Sequence, residues 1–185
     1  ERLERSIKKI SEIITDTREL HAIGTGKKEL DLVDVKVEVI FKNVIKDYSP
    51  IAAKKGITLV EKYNLHSEST IRVEPRSIEN NVLSNLISNA IKFSHPGDQI
   101  ILSAYQDENN VIITVKDYGV GINQSVRNDL FDISIPTSKL GTLGEEGTGF
   151  GMPIVKMFMD IYKASVHFES VGIGESEEHG TIFEL

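Results

Sequence analysis

Cysteine is missing from all 185 residues, which excludes disulfides and thiolate metal sites and suits a reducing compartment. No apolar run approaches the roughly 20 residues that a membrane span needs, so the chain is expected to be soluble, with any membrane part outside it. No signal-like apolar segment follows Glu1. The chain is therefore expected to be a cytoplasmic fragment of something longer, with any sensor part beyond its ends. Basic charge is short: 21 Lys and Arg against 28 Asp and Glu give a net −7, which opposes a nucleic acid partner because phosphate binding needs a basic surface. Neither an internal repeat nor a low-complexity tract is present. What remains is an ordinary globular composition, 39% hydrophobic and 26% charged. A chain of this length buries roughly 70% of its unfolded surface, enough for one core and an appended arm.

The arm is legible first. Leu3, Ile7, Ile10 and Ile14 recur at spacings of four, three and four, and Ile13 and Leu20 widen the stripe, as a packed amphipathic helix requires. Gly24-Thr25-Gly26 ends it. A lone helix cannot bury such a stripe, so a partner helix is implied, upstream in the parent chain or from a second copy; the alternative is that it folds back on the following domain. The expected division is an arm over residues 1–27 and a domain over 28–185.

After the short apolar segment Leu30 to Val35, a helix is signalled by Val37, Ile40, Phe41, Val44, Ile45 and Tyr48, extended through Ala52-Ala53 and closed by Gly56. Ile57 to Val60 and Thr70 to Val73 then read as strands. A further helix is predicted from Ser77 to Phe93, stopped by Pro96-Gly97. Gln99 to Gln106 and Val111 to Lys116 read as a hairpin around Asn109-Asn110. Ile122 to Thr148 is polar and glycine-rich apart from an apolar island at Leu130-Phe131. So long a weakly structured insertion in a compact domain is usually functional, and a mobile lid is the expected kind. A last helix from Met152 to Tyr162 precedes strand-like Ser165 to Glu169 and Thr181 to Leu185. Blocks of helices and mainly antiparallel strands imply an α+β fold, a two-layer α/β sandwich with a mixed sheet and a lid.

Three polar clusters carry the chemistry. On the helix before Pro96, Asn81, Asn85, Asn89 and Lys92 share one side, opposite Val82, Leu83, Leu86, Ile87, Ala90 and Ile91. Asparagine is a mediocre helix former, so a column of three exceeds what solubility needs, although a solvated polar face is the plain alternative. An amide oxygen is a hard neutral ligand that suits Mg²⁺ when substrate phosphates supply the rest, and Lys92 can reach a phosphate. Asp117 ends a strand just before Gly119 and Gly121, where a Cβ would block close approach. Its carboxylate can accept from an adenine amino group and would repel the guanine oxygen; taken alone, such a run is an ordinary turn. Finally, Gly147, Gly149 and Gly151 lead into Met152-Pro153, where proline fits a first helical turn. Free N–H groups and the helix dipole there suit a polyphosphate.

The run Val82 to Ser94 (Val-Leu-Ser-Asn-Leu-Ile-Ser-Asn-Ala-Ile-Lys-Phe-Ser) resembles the N box of sensor histidine kinases nearly residue for residue. Asp117-Tyr118-Gly119-Val120-Gly121-Ile122 is similar to their G1 box, and Gly147-Thr148-Gly149-Phe150-Gly151-Met152 to G2. The resemblance covers about residues 28–185 and implies an ATP-dependent protein-histidine kinase domain with ATP and Mg²⁺ as cofactors. It implies Asn89 as the metal ligand, Asp117 as the adenine reader, and Gly149 and Gly151 against the phosphates. Asn85, Lys92, Gly119, Gly121, Lys139, Thr148, Phe150 and Met152 complete the expected nucleotide site, with Asn85, Asn89 and Lys92 its catalytic part. In the wider superfamily, shared with DNA gyrase and mismatch-repair ATPases, hydrolytic members carry a glutamate base where Asn85 stands. An amide cannot take a proton from water, so transfer of the γ-phosphoryl group to a protein is implied over hydrolysis.

Residues 1–27 resemble the second helix of the family's dimerisation and phosphoacceptor bundle. His21 lacks the acceptor signature, so the acceptor is expected upstream of Glu1, the parent is expected to be a homodimer, and a response regulator is the implied partner. The chain departs from the family at Glu74-Pro75, at Ser134-Ile135-Pro136, which offers no second aromatic after Phe131, and at Phe150, Met152 and Pro153 after G2. The alternatives are a degenerate nucleotide- or partner-binding module and a serine kinase that regulates sigma factors, against which the Leu3 to Ile14 helix argues.

Overall fold

In the computed structural model, residues 18, 30–66, 69–107, 110–135, 137–176 and 178–185 are described. The expected arm helix, with the boundary at residue 27, lies outside the described residues except for Arg18. Helix α1 (Val37–Lys54) buries Val37, Ile40, Phe41 and Val44, the three-and-four spacing read from the sequence. Pro50 lies inside it without ending it. Gly56, at φ +74°, closes the turn that follows.

Strands β2 (Thr58–Asn64), β4 (Gln99–Asp107), β5 (Asn110–Asp117), β6 (His167–Val171) and β7 (Gly180–Glu184) form one sheet in the order β2-β4-β5-β7-β6. The β2–β4 pair is parallel and the other pairs are antiparallel, so the sheet is mixed and mainly antiparallel, as expected. A parallel pair needs a long crossover, and the helical segment between β2 and β4 supplies it. Strands β1 (Val33–Val35) and β3 (Ile71–Val73) pair separately as an antiparallel ribbon. The β4–β5 hairpin corrects one expectation. Asp107 pairs with Asn110, so Asn110 belongs to strand β5 and not to the turn expected there.

The crossover corrects a second. Instead of one regular helix from Ser77, the chain forms a short turn, α2 (Pro75–Ser77), then a π-helical stretch Ile78–Leu83, then α3 (Ser84–Phe93). In the wide stretch the N–H of Ser84 donates to the carbonyl of Glu79, five residues back. Ile78, Val82, Leu83, Leu86, Ile87, Ala90 and Ile91 are buried from this segment. They pack in one cluster with Ile100, Leu102, Val115 and Phe183 of the sheet and with Ile154, Val155 and Phe158 of the helix Gly151–Tyr162. Each of these side chains larger than alanine contributes about 1.5–3 kcal/mol on burial, and this pins the opposite, asparagine-bearing side of α3 outward. Between β5 and β6 come the four-residue helix α4 (Gln124–Arg127), a long irregular stretch, and α5 (Gly151–Tyr162). Among the described residues no helix is long and apolar enough to cross a membrane.

Candidate nucleotide site

Between the polar side of α3 and the irregular stretch before α5 lies a cavity of about 1120 Å³, a little above the roughly 300–1,000 Å³ that small-molecule pockets span. Asn81, Asn85, Asn89 and Lys92 form one wall, and Lys139, Thr148 and Gly149 face them with Gly151 and Met152 at the start of α5. The asparagine column and the glycine turn, more than fifty residues apart in sequence, thus line one space.

The backbone of α3 orients the column. The side-chain amide of Asn85 donates from Nδ2 to the carbonyl of Asn81 at 2.7 Å, which fixes its Oδ1 toward Gly151. A Cβ built on Gly151 would sit 2.8 Å from that oxygen, closer than a carbon can approach without displacing it. Gly151→Ala is therefore expected to push the Asn85 amide aside and weaken nucleotide binding about tenfold, equivalent to about 1.4 kcal/mol, with the melting temperature little changed. Titration calorimetry beside thermal melting checks this. Gly149 adopts φ +85°, a conformation that favours glycine. The ammonium of Lys92 passes 2.8 Å from where a Cβ of Gly147 would stand and lies 4.8 Å from the Phe93 ring centre. Helix α5 has no side-chain cap at its start, so its first amides and dipole are directed at the cavity side.

Four expected residues stand outside this cavity: Asp117, Gly119, Gly121 and Phe150. Phe150 packs against the hydrophobic cluster, which takes its ring away from the cavity. The two glycines serve chain-to-chain approach. A Cβ on Gly119 would collide with the carbonyl of Phe93, and one on Gly121 (φ +70°) with the carbonyl of Val171. The loop they form is further tied by Val120 N–H to Phe93 O at 3.0 Å and Ile122 N–H to Ser170 Oγ at 2.7 Å. Phe93 itself lines the cavity, so the Asp117 loop adjoins the cavity through the end of α3.

Asp117 is buried, and its Oδ1 accepts from the N–H groups of Gly119 at 2.9 Å and Thr181 at 3.2 Å. Burial raises its pKa from the ordinary 3.8 to about 6, against the pull of those two hydrogen bonds; Asp98 adds to the rise and His179 opposes it. The unfolded carboxyl ionises near 3.8, whereas the folded one keeps its proton to about 6. The stability this group contributes is present below the unfolded value and is lost as pH rises through the folded one. Denaturant unfolding should show a loss of about 3 kcal/mol between pH 4 and 7 that Asp117→Asn does not share. Equal pH profiles for the two chains would contradict the burial of an ionisable group there.

Sequence reasoning overlooked several residues around the site. Lys55, just past α1, reaches the end of α3 and Glu145. Thr142 hydrogen-bonds Ser94 O at 2.7 Å, and His179 Nδ1 lies 2.7 Å from Gly119 O. A lysine at a helix end reads only as a complement to the helix dipole, so no local signal marks it.

The family described as histidine kinase-, DNA gyrase B-, and HSP90-like ATPase matches residues 75–185, more than half of the chain. The virulence sensor protein BvgS of Bordetella pertussis (strain Tohama I) is 30% identical over 164 residues, which cover 84% of this chain and 13% of BvgS. The chain therefore spans a small part of the length of this curated relative. Among solved structures, the histidine kinase AdeS of Acinetobacter baumannii superposes with a TM-score of 0.75 at 23% identity, over 99% of this chain and 80% of that one. Histidine kinase ThkA, solved in complex with the response regulator protein TrrA, does so at 0.70 and 17% identity, over 97% and 48%. With the family matched from the crossover helix through the glycine turn to the last strand, the chain belongs to the histidine kinase-, DNA gyrase B- and HSP90-like ATPases, as an ATP-binding domain homologous to those of sensor histidine kinases.

Proposed function

We propose that this domain works within a two-component sensor histidine kinase, moving the γ-phosphoryl group of ATP to a histidine on a bundle helix of the parent and thence to an aspartate of a response regulator. The observation that carries the reading is the single cavity joining the Asn85, Asn89 and Lys92 wall to the glycine turn at the start of α5. ThkA was solved with a response regulator, which supports the same class of partner here. We place the domain in the cytoplasm of the cell and its parent in a homodimer, by the resemblance of residues 1–27 to a bundle helix.

The donor set fits Mg²⁺. Among the described residues no group of three or more His, Cys, Asp or Glu side chains could hold a metal by itself, so a cation in this cavity must take most of its ligands from phosphate and water, which is how Mg²⁺ binds nucleotides. Asn89 offers the neutral hard oxygen. When bound, the ion would neutralise charge on the phosphates. The chain's own groups do the rest. Lys92 and Lys139 offer cationic contacts to the phosphates, and Thr148, Gly149, Gly151 and Met152 present backbone and hydroxyl groups at a helix start. Asp117, with Gly119 and Gly121 shaping its loop, reads the adenine amino group. Asn85 cannot act as a base toward water, so phosphoryl transfer to a presented imidazole prevails, through positioning and electrostatics.

The test is to mix the folded chain with γ-labelled ATP, Mg²⁺ and a separately supplied acceptor helix. Acid-labile label on the helix histidine is the expected result. Nucleotide binding without any labelled acceptor would favour a binding module instead, and acid-stable label on a serine would favour a serine kinase.

A further inference from the structure

The last carbonyls of a helix lack intrahelical partners; in α3 that of Ala90 is met by the C-cap residue Ser94, and the three that follow are taken by groups from distant parts of the chain. Ala90 O accepts from Ser94 N–H at 3.1 Å and Phe93 O from Val120 N–H at 3.0 Å. Ile91 O and Lys92 O accept from Nζ of Lys55 at 2.7 and 2.8 Å. Lys92 O also accepts from Thr142 N–H at 3.0 Å. The third donor position of the Lys55 ammonium goes to Oε1 of Glu145 at 2.5 Å. Glu145 in turn closes the turn around itself, accepting Leu143 N–H on Oε2 and Gly141 N–H on its carbonyl, each at 2.8 Å. A Cβ on Gly141 would collide with both Glu145 and Lys92, so the turn sits directly on the end of α3.

Lys55 is 8% exposed. A buried ammonium is costly unless it is paired, and its carboxylate partner comes from the lid. Were residues 137–149 to leave the cavity, Lys55 would keep two carbonyls and lose its counter-charge. From this we propose that Lys55 is a positioning residue that couples lid placement to the helix carrying Asn89 and Lys92, with Glu145 as the lid half of the latch. The proposal rests on reading the cavity as the nucleotide site, since a nucleotide held between the two walls would feel both at once.

The experiment uses the whole 185-residue chain and a double-mutant cycle of Lys55→Met, Glu145→Gln and the two together. Two readouts are taken: calorimetric affinity for the Mg²⁺ complex of a non-hydrolysable ATP analogue, and amide hydrogen exchange of residues 137–147. Each single change is expected to weaken binding about tenfold and speed exchange in the lid about tenfold, with exchange in β4 and β5 unchanged. The double variant is expected to be no worse than Lys55→Met alone. Effects that add in full, or lower stability with lid exchange and affinity untouched, would overturn the coupling. Where Lys55→Met does not fold, Glu145→Gln alone decides, because its half-exposed site tolerates the change; wild-type lid exchange and affinity in that variant would also overturn it. Failure of the wild-type chain to bind the analogue would remove the nucleotide reading, and faster lid exchange in Glu145→Gln without nucleotide would still support the latch.

Discussion

Asp117→Asn is expected to erase the preference for ATP over GTP, lowering ATP affinity about 30-fold while leaving the fold in place. The asparagine oxygen can still accept from the N–H groups of Gly119 and Thr181, which meet Oδ1 in the native chain, so the loop keeps its shape. What changes is the second position of the side chain. There a carboxylate oxygen that, in the proposed role, would accept from the adenine amine is replaced by an amide N–H₂ that donates, and two donors would then face each other. Hydrogen bonds to charged groups contribute about 1.5–3 kcal/mol, which sets the size of the loss, and a donor there welcomes the guanine oxygen. Asp117→Ala is expected to lose the same selectivity, but it also leaves two buried N–H groups unpaired at about 1–3 kcal/mol each. Calorimetric affinities for both nucleotides check the prediction, and intact adenine selectivity in the asparagine variant would refute the assigned role.

Asn89→Ala should cut phosphoryl transfer to a supplied acceptor by about 100-fold or more, the usual consequence of deleting one preorganised polar group from a reacting site. It should also flatten the dependence of nucleotide binding on Mg²⁺. Asn89 lines the cavity and is half-buried, outside the hydrophobic cluster. Its loss is therefore expected to change stability by no more than about 0.5 kcal/mol. An unaltered magnesium titration would mean that the metal ligand lies elsewhere.

Periodicity made most of the fold legible. Val37, Ile40, Phe41 and Val44 marked α1, and Val82 to Ile91 marked both the buried side of the crossover helix and, by exclusion, the side that faces the cavity. The π-helical stretch Ile78–Leu83 was not legible, because one extra residue per turn leaves no compositional mark when both registers bury the same apolar residues. At Gly119 and Gly121 the need for glycine was visible, but not the neighbour that imposes it: the backbones of Phe93 and Val171 arrive from distant segments. Lys55 shows the same limit more sharply. Its partners lie 36, 37 and 90 residues along the chain, and nothing in its local sequence distinguishes it from Lys54 beside it, which is exposed.

The central question is whether this cavity takes a magnesium nucleotide. Isothermal titration of the folded chain with ATP, with and without Mg²⁺, measures that directly. Saturable one-site heat that weakens when the metal is chelated is the predicted result; no saturable heat with Mg-ATP on folded protein would contradict it.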